Sequence, residues 1–350
     1  MSVLPPRAAR LSSLTAADLA TVPPAVVERI VGAREVLTVC HESPEADALG
    51  SALAIALAVE ELGGRATPVC ADPIPEMYAF LPQIERMRQD PEAERTYDLI
   101  VVSDCGDLER VGPVLQRNAE LFARVPIVNV DHHVSNTGFG VVDWIDAGAA
   151  ATCEMGTLLM PALGVLLDAT DGAIAANLLA GLVIDTANFQ HPNTTPRTLR
   201  AAAELVAAGA PLSDTARQLY RTKPNEQLKL FGLVLTRLES EHDGQLVWTI
   251  LRQSDFAATG ALPADAEGLS DLLSHSASGQ VIILFKEGDG QTRLSVRTKD
   301  AGVDATRLTG AFGGGGHARA AGATVPLPMD EAVPAVLNVA RALLDAGGGG

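Results

Sequence analysis

Asp131, His132 and His133 directly follow an apolar run in the segment "IVNVDHHVSN" at 127–136. Burying three such groups at the end of a strand costs several kcal/mol unless a partner compensates them. Similar side chains occur in "HESPEADALGS", "VVSDCGD" and "GLVIDTANFQ", where the residues of interest are His41, Glu45, Asp47, Asp104 and Asp185. Because imidazoles and carboxylates together suit Mn²⁺, Fe²⁺, Zn²⁺ or Mg²⁺, these segments predict a metal site.

The number of carboxylates favours two ions over one. Four carboxylates match the charge of two divalent cations, namely those of Glu45, Asp47, Asp104 and Asp185. Two ions about 3.5–4 Å apart can hold a bridging hydroxide and clamp a phosphate for in-line attack. Taken alone, an aspartate at a strand end is commonly a helix cap, and a His-His pair is commonly a surface turn. The prediction therefore depends on all of these residues meeting at one sheet.

The elements that must position these residues form an alternating pattern. Strand-like apolar segments lie at 35–40, 66–71, 97–104, 125–131 and 140–146, and helices are predicted over 46–64, 150–163 and 170–185. Continuous apolar strands separated by helices indicate a parallel sheet covered on both faces. In such sheets functional groups gather at the carboxyl ends of the strands, where Asp104 and Asp131 stand and which His41 follows.

A second domain follows a helical region over about 197–240. We expect a first domain at 1–204, a helical linker at 205–225 and a smaller α+β domain at 226–350. Strand-like segments at 245–251, 280–288 and 292–300, and helices at 303–311 and 330–345, indicate that class.

The glycine-rich segment "AFGGGGHARAAGA" at 311–323 is the candidate for anion binding in this domain. Glycine backbone N–H groups can approach an anion closely, and a helix that starts after them would favour phosphate there. His317 and Arg319 add donors. A flexible linker is the alternative interpretation of four glycines.

Local charge also points to this region. The chain has a net charge of −17, whereas the segment 286–319 carries an excess of basic residues. The basic residues are Lys286, Arg293, Arg297, Lys299, Arg307 and Arg319. A basic region in an acidic protein predicts a phosphorylated ligand, with Arg297 as a contact, although ordinary solvated strand charges would look the same.

Composition restricts the function classes. Hydrophobic residues make up 47% of the chain and charged residues 20%, which is typical of globular proteins. The net charge argues against charge-driven binding to long duplex DNA or to anionic membranes. The N-terminal segment has no apolar core of signal-peptide type, so the cytoplasm is the expected location. The four cysteines are expected to be small buried residues, with thiol ligation by Cys40 or Cys105 as an alternative.

The ordered set of motifs resembles the DHH phosphoesterase superfamily. The motifs are "HESPEADALGS", Asp104, "DHH" at 131–133, Asp185 and "GGGGHARAAG". The set is most similar to the group of bacterial nano-RNases, pAp phosphatases and cyclic-dinucleotide phosphodiesterases. "NTTP" at 193–196 also resembles this group. The family normally has Asp where this chain has Glu45. Activity is expected to be retained, with an altered metal preference left open.

The resemblance implies a role for each candidate residue. His41, Glu45 and Asp104 would hold one ion, and Asp47, Asp104, His132 and Asp185 would hold the other, with Asp104 as the bridge. Mn²⁺ is favoured, with Mg²⁺ or Fe²⁺ as alternatives. Asp131 would orient a ligand histidine and His133 would face the scissile phosphate. Gly315, Gly316, His317, Arg319 and Arg297 would contact substrate.

The implied activity is hydrolysis of short oligoribonucleotides and of linear or cyclic dinucleotides to 5′-mononucleotides by a two-metal bridging hydroxide. The alternatives are a 3′-phosphoadenosine 5′-phosphate phosphatase, a manganese pyrophosphatase or exopolyphosphatase, and a non-catalytic nucleotide sensor in which Glu45 marks a degraded site. Long duplex DNA and membranes are not expected as partners. A homodimer is left open.

Overall fold

The computed structural model describes residues 12–299 and 303–347, and the chain divides into two units. Unit 1 is Met1–Thr222 and unit 2 is Lys223–Gly350. The division falls within the segment 205–225, which we expect to be a linker. That segment contains the helix Leu212–Tyr220, and Leu219 of this helix packs in the core of unit 1. Among the described residues, no helix combines the length and apolar character needed to cross a membrane.

Unit 1 is built on a parallel sheet. Its strands within the described residues are β1 (Glu35–Val39), β2 (Arg65–Val69), β3 (Leu99–Ser103), β4 (Ile127–Asp131) and β5 (Val142–Ile145). They lie in the order β2-β1-β3-β4-β5, and every neighbouring pair is parallel. β-branched residues dominate the central strands because such residues pack well on a pleated, buried surface. The predicted parallel sheet, with β5 at its edge, is confirmed.

Helices cover both faces of this sheet. They are α1 (Ala16–Leu19), α2 (Pro24–Gly32), α3 (Ala46–Glu61), α4 (Pro113–Arg117), α5 (Ala119–Arg124), α6 (Thr152–Ala162), α7 (Ala173–Asp185), α8 (Pro196–Ala207) and α9 (Leu212–Tyr220). Since side chains alternate along a strand, Val101 packs into the core with α3, α6 and α7, and Val102 packs into the opposite core with α4 and α5. The predicted covering of both faces is confirmed.

Unit 2 is an α+β domain, as expected. Its strands are β6 (Glu239–Glu241), β7 (Leu246–Leu251), β8 (Val281–Glu287), β9 (Thr292–Thr298), β10 (Gly315–His317) and β11 (Ala320–Val325). Its helices are α10 (Asn225–Leu235), α11 (Gln253–Thr259), α12 (Leu269–Leu273), α13 (Ala305–Gly310) and α14 (Met329–Gly347). The sheet order is β10-β11-β9-β8-β7-β6, in which β7 and β8 are parallel and the other pairs antiparallel. Residue 300, the end of a predicted strand, lies outside the described residues.

The glycine-rich segment of unit 2 differs from the prediction. No helix starts directly after its glycines, because β10 and β11 form a hairpin that pairs with β9. The expected phosphate site at a helix start is therefore wrong. A Cβ atom at Gly314 would lie 2.2 Å from the Gly322 carbonyl oxygen, and Gly316 has a φ of +140°. The glycines thus permit the close approach of the two strands.

Candidate metal centre

Chain topology explains how residues from four segments reach one place. His41 follows β1 and Asp104 follows β3 at the carboxyl edge of the sheet, and His132 follows β4. Glu45 is the N-cap of α3 and Asp47 lies in its first turn. Asp185 is the last residue of α7, which lies within the helix predicted over 170–185 and packs against α3.

The structure brings the six predicted ligands together in two groups. One group is His41, Glu45 and Asp104, and the other is Asp47, His132 and Asp185. In each group the candidate ligand atoms lie within 4.8 Å of one another. Asp104 also forms such a group with His132 and His133, so it connects the two sets.

The two carboxylate oxygens of Asp104 face different histidines. Oδ2 lies 3.4 Å from Nε2 of His41, whereas Oδ1 lies 3.6 Å from Nε2 of His132. Asp104 has a φ of +59°, an uncommon value for a residue other than glycine, and it is almost fully buried. Such local strain is often found at functional sites. The geometry is that of a carboxylate able to bridge two cations.

Backbone carbonyls orient the two candidate ligand histidines. Nδ1 of His41 lies 2.7 Å from the Glu42 carbonyl oxygen, and Nδ1 of His132 lies 3.4 Å from that of Ala149. Because a carbonyl only accepts, each Nδ1 carries the proton. Nε2 of each ring is left on the side of the carboxylates, which is the usual arrangement for histidines that bind metals.

Asp131 contacts a different histidine from the one expected. Nδ1 of His133 donates to Oδ1 of Asp131 over 2.7 Å, and neither His41 nor His132 bonds to this carboxylate. The expectation that Asp131 orients a ligand histidine is corrected here. The physical reason is that Nδ1 of His41 and Nδ1 of His132 are directed to backbone carbonyl oxygens, whereas Nδ1 of His133 is directed to Asp131.

Glu45 has two roles in its group. Oε1 lies 3.6 Å from Nε2 of His41. The same carboxylate accepts the N–H groups of Ala48 and Asp47 at 3.0 and 3.2 Å and so caps its own helix. Glu45 therefore faces His41 and caps α3 with the same carboxylate.

The pKa values of the candidate ligands are shifted because acidic groups are buried close together. Burial and the charges of Glu45 and Asp104 together raise the pKa of Asp185 to about 9, and burial and acidic neighbours raise the pKa of Asp47 as well. Burial would raise the pKa of Asp104, but the hydrogen bond to His41 and the nearby histidines lower it to about 2. Burial opposes the charged form of His41, yet its bonds to Asp104 and Glu45 raise its pKa to about 10. Repulsion and burial favour the protonated forms of Asp47 and Asp185. A pair of divalent cations would compensate the same negative charge.

Sequence reasoning missed the start of α6. Thr152 and Cys153 donate their backbone N–H groups to Oδ2 and Oδ1 of Asp47 at 2.6 and 2.8 Å. The Thr152 hydroxyl donates to Oδ1 of Asp104 at 3.0 Å. The signal available in the sequence was a threonine and a glutamate in "ATCEM", at the start of a predicted helix.

Asn193 of "NTTP" donates to the Asp185 carbonyl at 3.2 Å. Cys40 and Cys105 are buried, and neither belongs to the groups found among the described residues.

The predicted substrate residues lie in unit 2, on neighbouring strands. His317 pairs with Ala320, and Ala320 pairs with Arg297, so both side chains belong to one row on one face of the sheet. Gly315, Gly316, His317 and Arg319 are exposed. Arg297 donates from Nε and Nη2 to Oδ1 of Asp271 in α12, at 3.1 and 3.0 Å, a contact the sequence did not predict.

Comparison with known proteins decides the family. Residues 35–209 match the DHH family, N-terminal domain, and residues 251–346 match the DHHA1 domain. The chain belongs to the DHH family. A DHH relative from Thermus thermophilus, named bifunctional oligoribonuclease and PAP phosphatase NrnA, is 33% identical over 86% of this chain and 87% of that protein.

Two further DHH comparisons are informative. A cyclic-di-AMP phosphodiesterase, PdeA, from Listeria monocytogenes is 26% identical over 84% of this chain and 45% of that protein. The crystal structure of an exopolyphosphatase-related protein from Bacteroides fragilis covers 95% of this chain and 96% of its own, with 19% identity and a TM-score of 0.79. The last comparison shows the fold. The resemblance to DHH proteins with a C-terminal associated domain is confirmed.

Proposed function

We propose that unit 1 holds two divalent cations, preferentially Mn²⁺, in the two groups that share Asp104. The observation that carries this proposal is the division of the Asp104 oxygens between His41 and His132. His41, Glu45 and Asp104 would hold one ion, and Asp47, Asp104, His132 and Asp185 the other. When bound, such a pair activates water and neutralises charge that develops on a phosphate.

The chain's own residues supply the remaining chemistry in this proposal. His133 keeps its Nδ1 proton in the bond to the fully buried Asp131, and its partly exposed ring leaves Nε2 for a substrate oxygen. The hydrogen bond to Asp131 raises the pKa of His133 against the opposing effect of burial. A protonated His133 would donate to a phosphate oxygen and stabilise charge that develops during cleavage.

We propose that the substrate is a short oligoribonucleotide or a linear or cyclic dinucleotide, cleaved to 5′-mononucleotides. The names of the Thermus and Listeria relatives support this class. The basic side chains of Lys286, Arg293 and Arg297 on strands β8 and β9 of unit 2 support it as well. The pKa of Lys286 is lowered by partial burial and by the charges of Arg297 and Arg293, which indicates that three cations lie close together. In this proposal Gly315, Gly316, His317, Arg319 and Arg297 bind substrate phosphates.

A second activity is favoured by one comparison. The Thermus relative is named a PAP phosphatase as well as an oligoribonuclease. Removal of the 3′-phosphate from 3′-phosphoadenosine 5′-phosphate needs the same attack on phosphorus, but it releases orthophosphate. Both activities fit one centre.

A substrate panel tests the proposal. The full chain is loaded with Mn²⁺ and incubated with diadenylate, cyclic di-AMP, 3′-phosphoadenosine 5′-phosphate or pyrophosphate, and the products are identified by mass spectrometry. We expect 5′-AMP from diadenylate. Orthophosphate from pyrophosphate alone would replace the proposal with a pyrophosphatase, and tight binding without turnover would replace it with a sensor.

Two variants control the panel. Asp104→Ala should abolish turnover, because both groups lose their shared carboxylate, and it should leave the circular dichroism spectrum unchanged. Asp107→Ala should retain turnover, because the Asp107 carboxylate accepts from Glu109 N–H and belongs to none of the three groups. Near-normal turnover in Asp104→Ala would exclude the mechanism.

A further inference from the structure

The start of helix α6 contacts both groups of the candidate metal centre. The N-cap residue Ala151 has no side chain that can cap the helix. The buried carboxylate of Asp47 takes that place from another helix, because its two oxygens accept the N–H groups of Thr152 and Cys153. Asp47 is therefore held by the backbone of α6, as an N-cap residue holds its own helix.

Thr152 adds a second contact, made through its side chain. The fully buried hydroxyl donates to Oδ1 of Asp104 at 3.0 Å. This distance is shorter than those from the Asp104 oxygens to Nε2 of His41 and of His132, at 3.4 and 3.6 Å. A carboxylate rotates easily about its last side-chain bond, since that torsion is broad and roughly two-fold. The hydroxyl thus selects the rotation in which one oxygen faces each histidine.

A buried ionic network fixes the position of Thr152. Glu154, which is fully buried, accepts the backbone N–H of Ala150 at 3.1 Å and the hydroxyl of Thr198 at 2.7 Å. Nε of Arg197 donates to the same carboxylate, and Nη1 of Arg197 contacts Asp146 at 2.8 Å. Glu154 thus ties the backbone just before α6 to residues of α8. These bonds restrict the movement of the segment 150–152.

We propose that Thr152 is a positioning residue for the dinuclear centre, whose hydroxyl holds Asp104 as the bridge between two cations. The inference rests on the proposed function, since it assumes that both groups bind metal. It goes beyond the set of ligands, because Thr152 supplies no ligand atom to either group. Removal of the hydroxyl should leave the group of His41 and Glu45 loaded and weaken the group of Asp47, His132 and Asp185.

The decisive comparison is Thr152→Ser against Thr152→Ala in the full chain, with Mn²⁺ alone as the probe. Both variants delete the methyl group, and only the alanine variant deletes the hydroxyl. Bound Mn²⁺ is counted after equilibrium dialysis, and electron paramagnetic resonance detects the exchange-coupled pair. We expect the serine variant to match the wild type. We expect the alanine variant to bind the second Mn²⁺ about 10- to 100-fold more weakly and to lose the coupled signal.

Thr157→Ala and Thr157→Ser are the matched controls. Thr157 is also fully buried in α6, but its hydroxyl donates to the Cys153 carbonyl of the same helix. Two tightly bound, coupled ions in Thr152→Ala, or loss of the second ion in Thr152→Ser, would overturn the proposal. The proposal would also be overturned if Thr152→Ala lost metal and, in its metal-free form, melted at a lower temperature than Thr157→Ala. That result would indicate an effect on folding.

The readout separates this inference from the proposed function. A wild-type chain that binds two coupled Mn²⁺ ions but cleaves no dinucleotide would contradict the proposed activity, while the comparison at position 152 would still decide the role of the hydroxyl. A wild-type chain that binds at most one Mn²⁺ would overturn the dinuclear centre and the role of Thr152 together.

Discussion

His133 and Asp131, separated by one residue at the end of β4, share a hydrogen bond of 2.7 Å between Nδ1 and Oδ1. The other oxygen of Asp131 accepts from Nδ2 of Asn136 at 2.6 Å, and the carboxylate is fully buried. A buried carboxylate with both oxygens bonded stays in place and keeps its partner ring in one orientation. The ring of His133 is therefore held in one orientation, as its proposed contact with substrate requires.

Substitution Asp131→Asn should reduce the turnover of diadenylate by about 10²-fold, because His133 loses the charge that keeps it protonated and oriented. Bound Mn²⁺ should be unchanged, since Asp131 belongs to none of the groups found among the described residues. Steady-state kinetics and metal analysis check both expectations. Asp214→Asn, which replaces an exposed acid of α9 that pairs with Arg217, is the control. Unchanged turnover in Asp131→Asn would remove His133 from the reaction.

Substitution His317→Ala should raise KM for diadenylate by about 10- to 100-fold, the effect of losing one hydrogen bond to a charged phosphate. Both metals should stay bound, because the proposed ligands all lie in unit 1. His242→Ala is the control, since His242 follows β6 at the opposite edge of the sheet from β10. Loss of Mn²⁺ from His317→Ala would show that His317 is a metal ligand.

Removal of metal should destabilise unit 1. Without cations, four carboxylates lie together and their repulsion opposes folding. A site loaded at 100 times its Kd adds about 2.7 kcal/mol, which for a domain of this size raises Tm by about 5 to 10 °C. Differential scanning calorimetry with Mn²⁺ or with a chelator measures the change. A transition that does not respond to Mn²⁺, or a response confined to unit 2, would contradict the assignment of the site.

An ion pair of unit 1 whose residues belong to none of the candidate metal groups should make stability depend on pH. Nη2 and Nε of Arg200 donate to the two oxygens of Asp18 at 2.8 and 2.9 Å and lower the pKa of that carboxyl. Since the folded pKa lies below the unfolded value of about 3.9, this stabilisation is complete above that value and is lost as the pH falls through the folded pKa. Asp18→Asn should therefore unfold at lower urea than the wild type at pH 7, and the difference should narrow below about pH 4.

The matched control is Asp214→Asn, which removes an exposed ion pair with Arg217 within α9. Exposed pairs contribute little, so its urea midpoint should follow that of the wild type at every pH. A difference between Asp18→Asn and the wild type that stays constant from pH 7 to pH 3 would show that charge is not the cause.

The sequence predicts the sheet of unit 1 well because its strands carry a local signal. The β-branched runs before Asp104 and Asp131 are almost continuously apolar, which is typical of parallel strands buried on both faces. The residue types at the strand ends also predicted which side chains would meet. Convergence of His41 with Asp104 needs only that β1 and β3 are neighbours, which they are.

Other features depend on contacts between distant segments, and no local pattern reports them. "ARAAGATV" is rich in alanine, which favours helix, yet pairing with β9 makes it the strand β11. Thr152 and Glu154 look like ordinary residues of a helix start. Thr152 contacts Asp104 and Asp47 across 48 and 105 positions of the chain, and Glu154 contacts Arg197 and Thr198 across 43 and 44 positions.

Glu45 connects the occupancy of the first metal group with the local stability of a helix. One carboxylate closes the first turn of α3 and also faces His41, so any ligand that draws Glu45 away exposes two amide protons at the helix start. The free energy of loading this position then includes the cost of opening that turn. An aspartate at position 45 has a shorter side chain, which would change how the carboxylate divides between the helix start and the side of His41. Hydrogen exchange of the Asp47 and Ala48 amides would measure this difference.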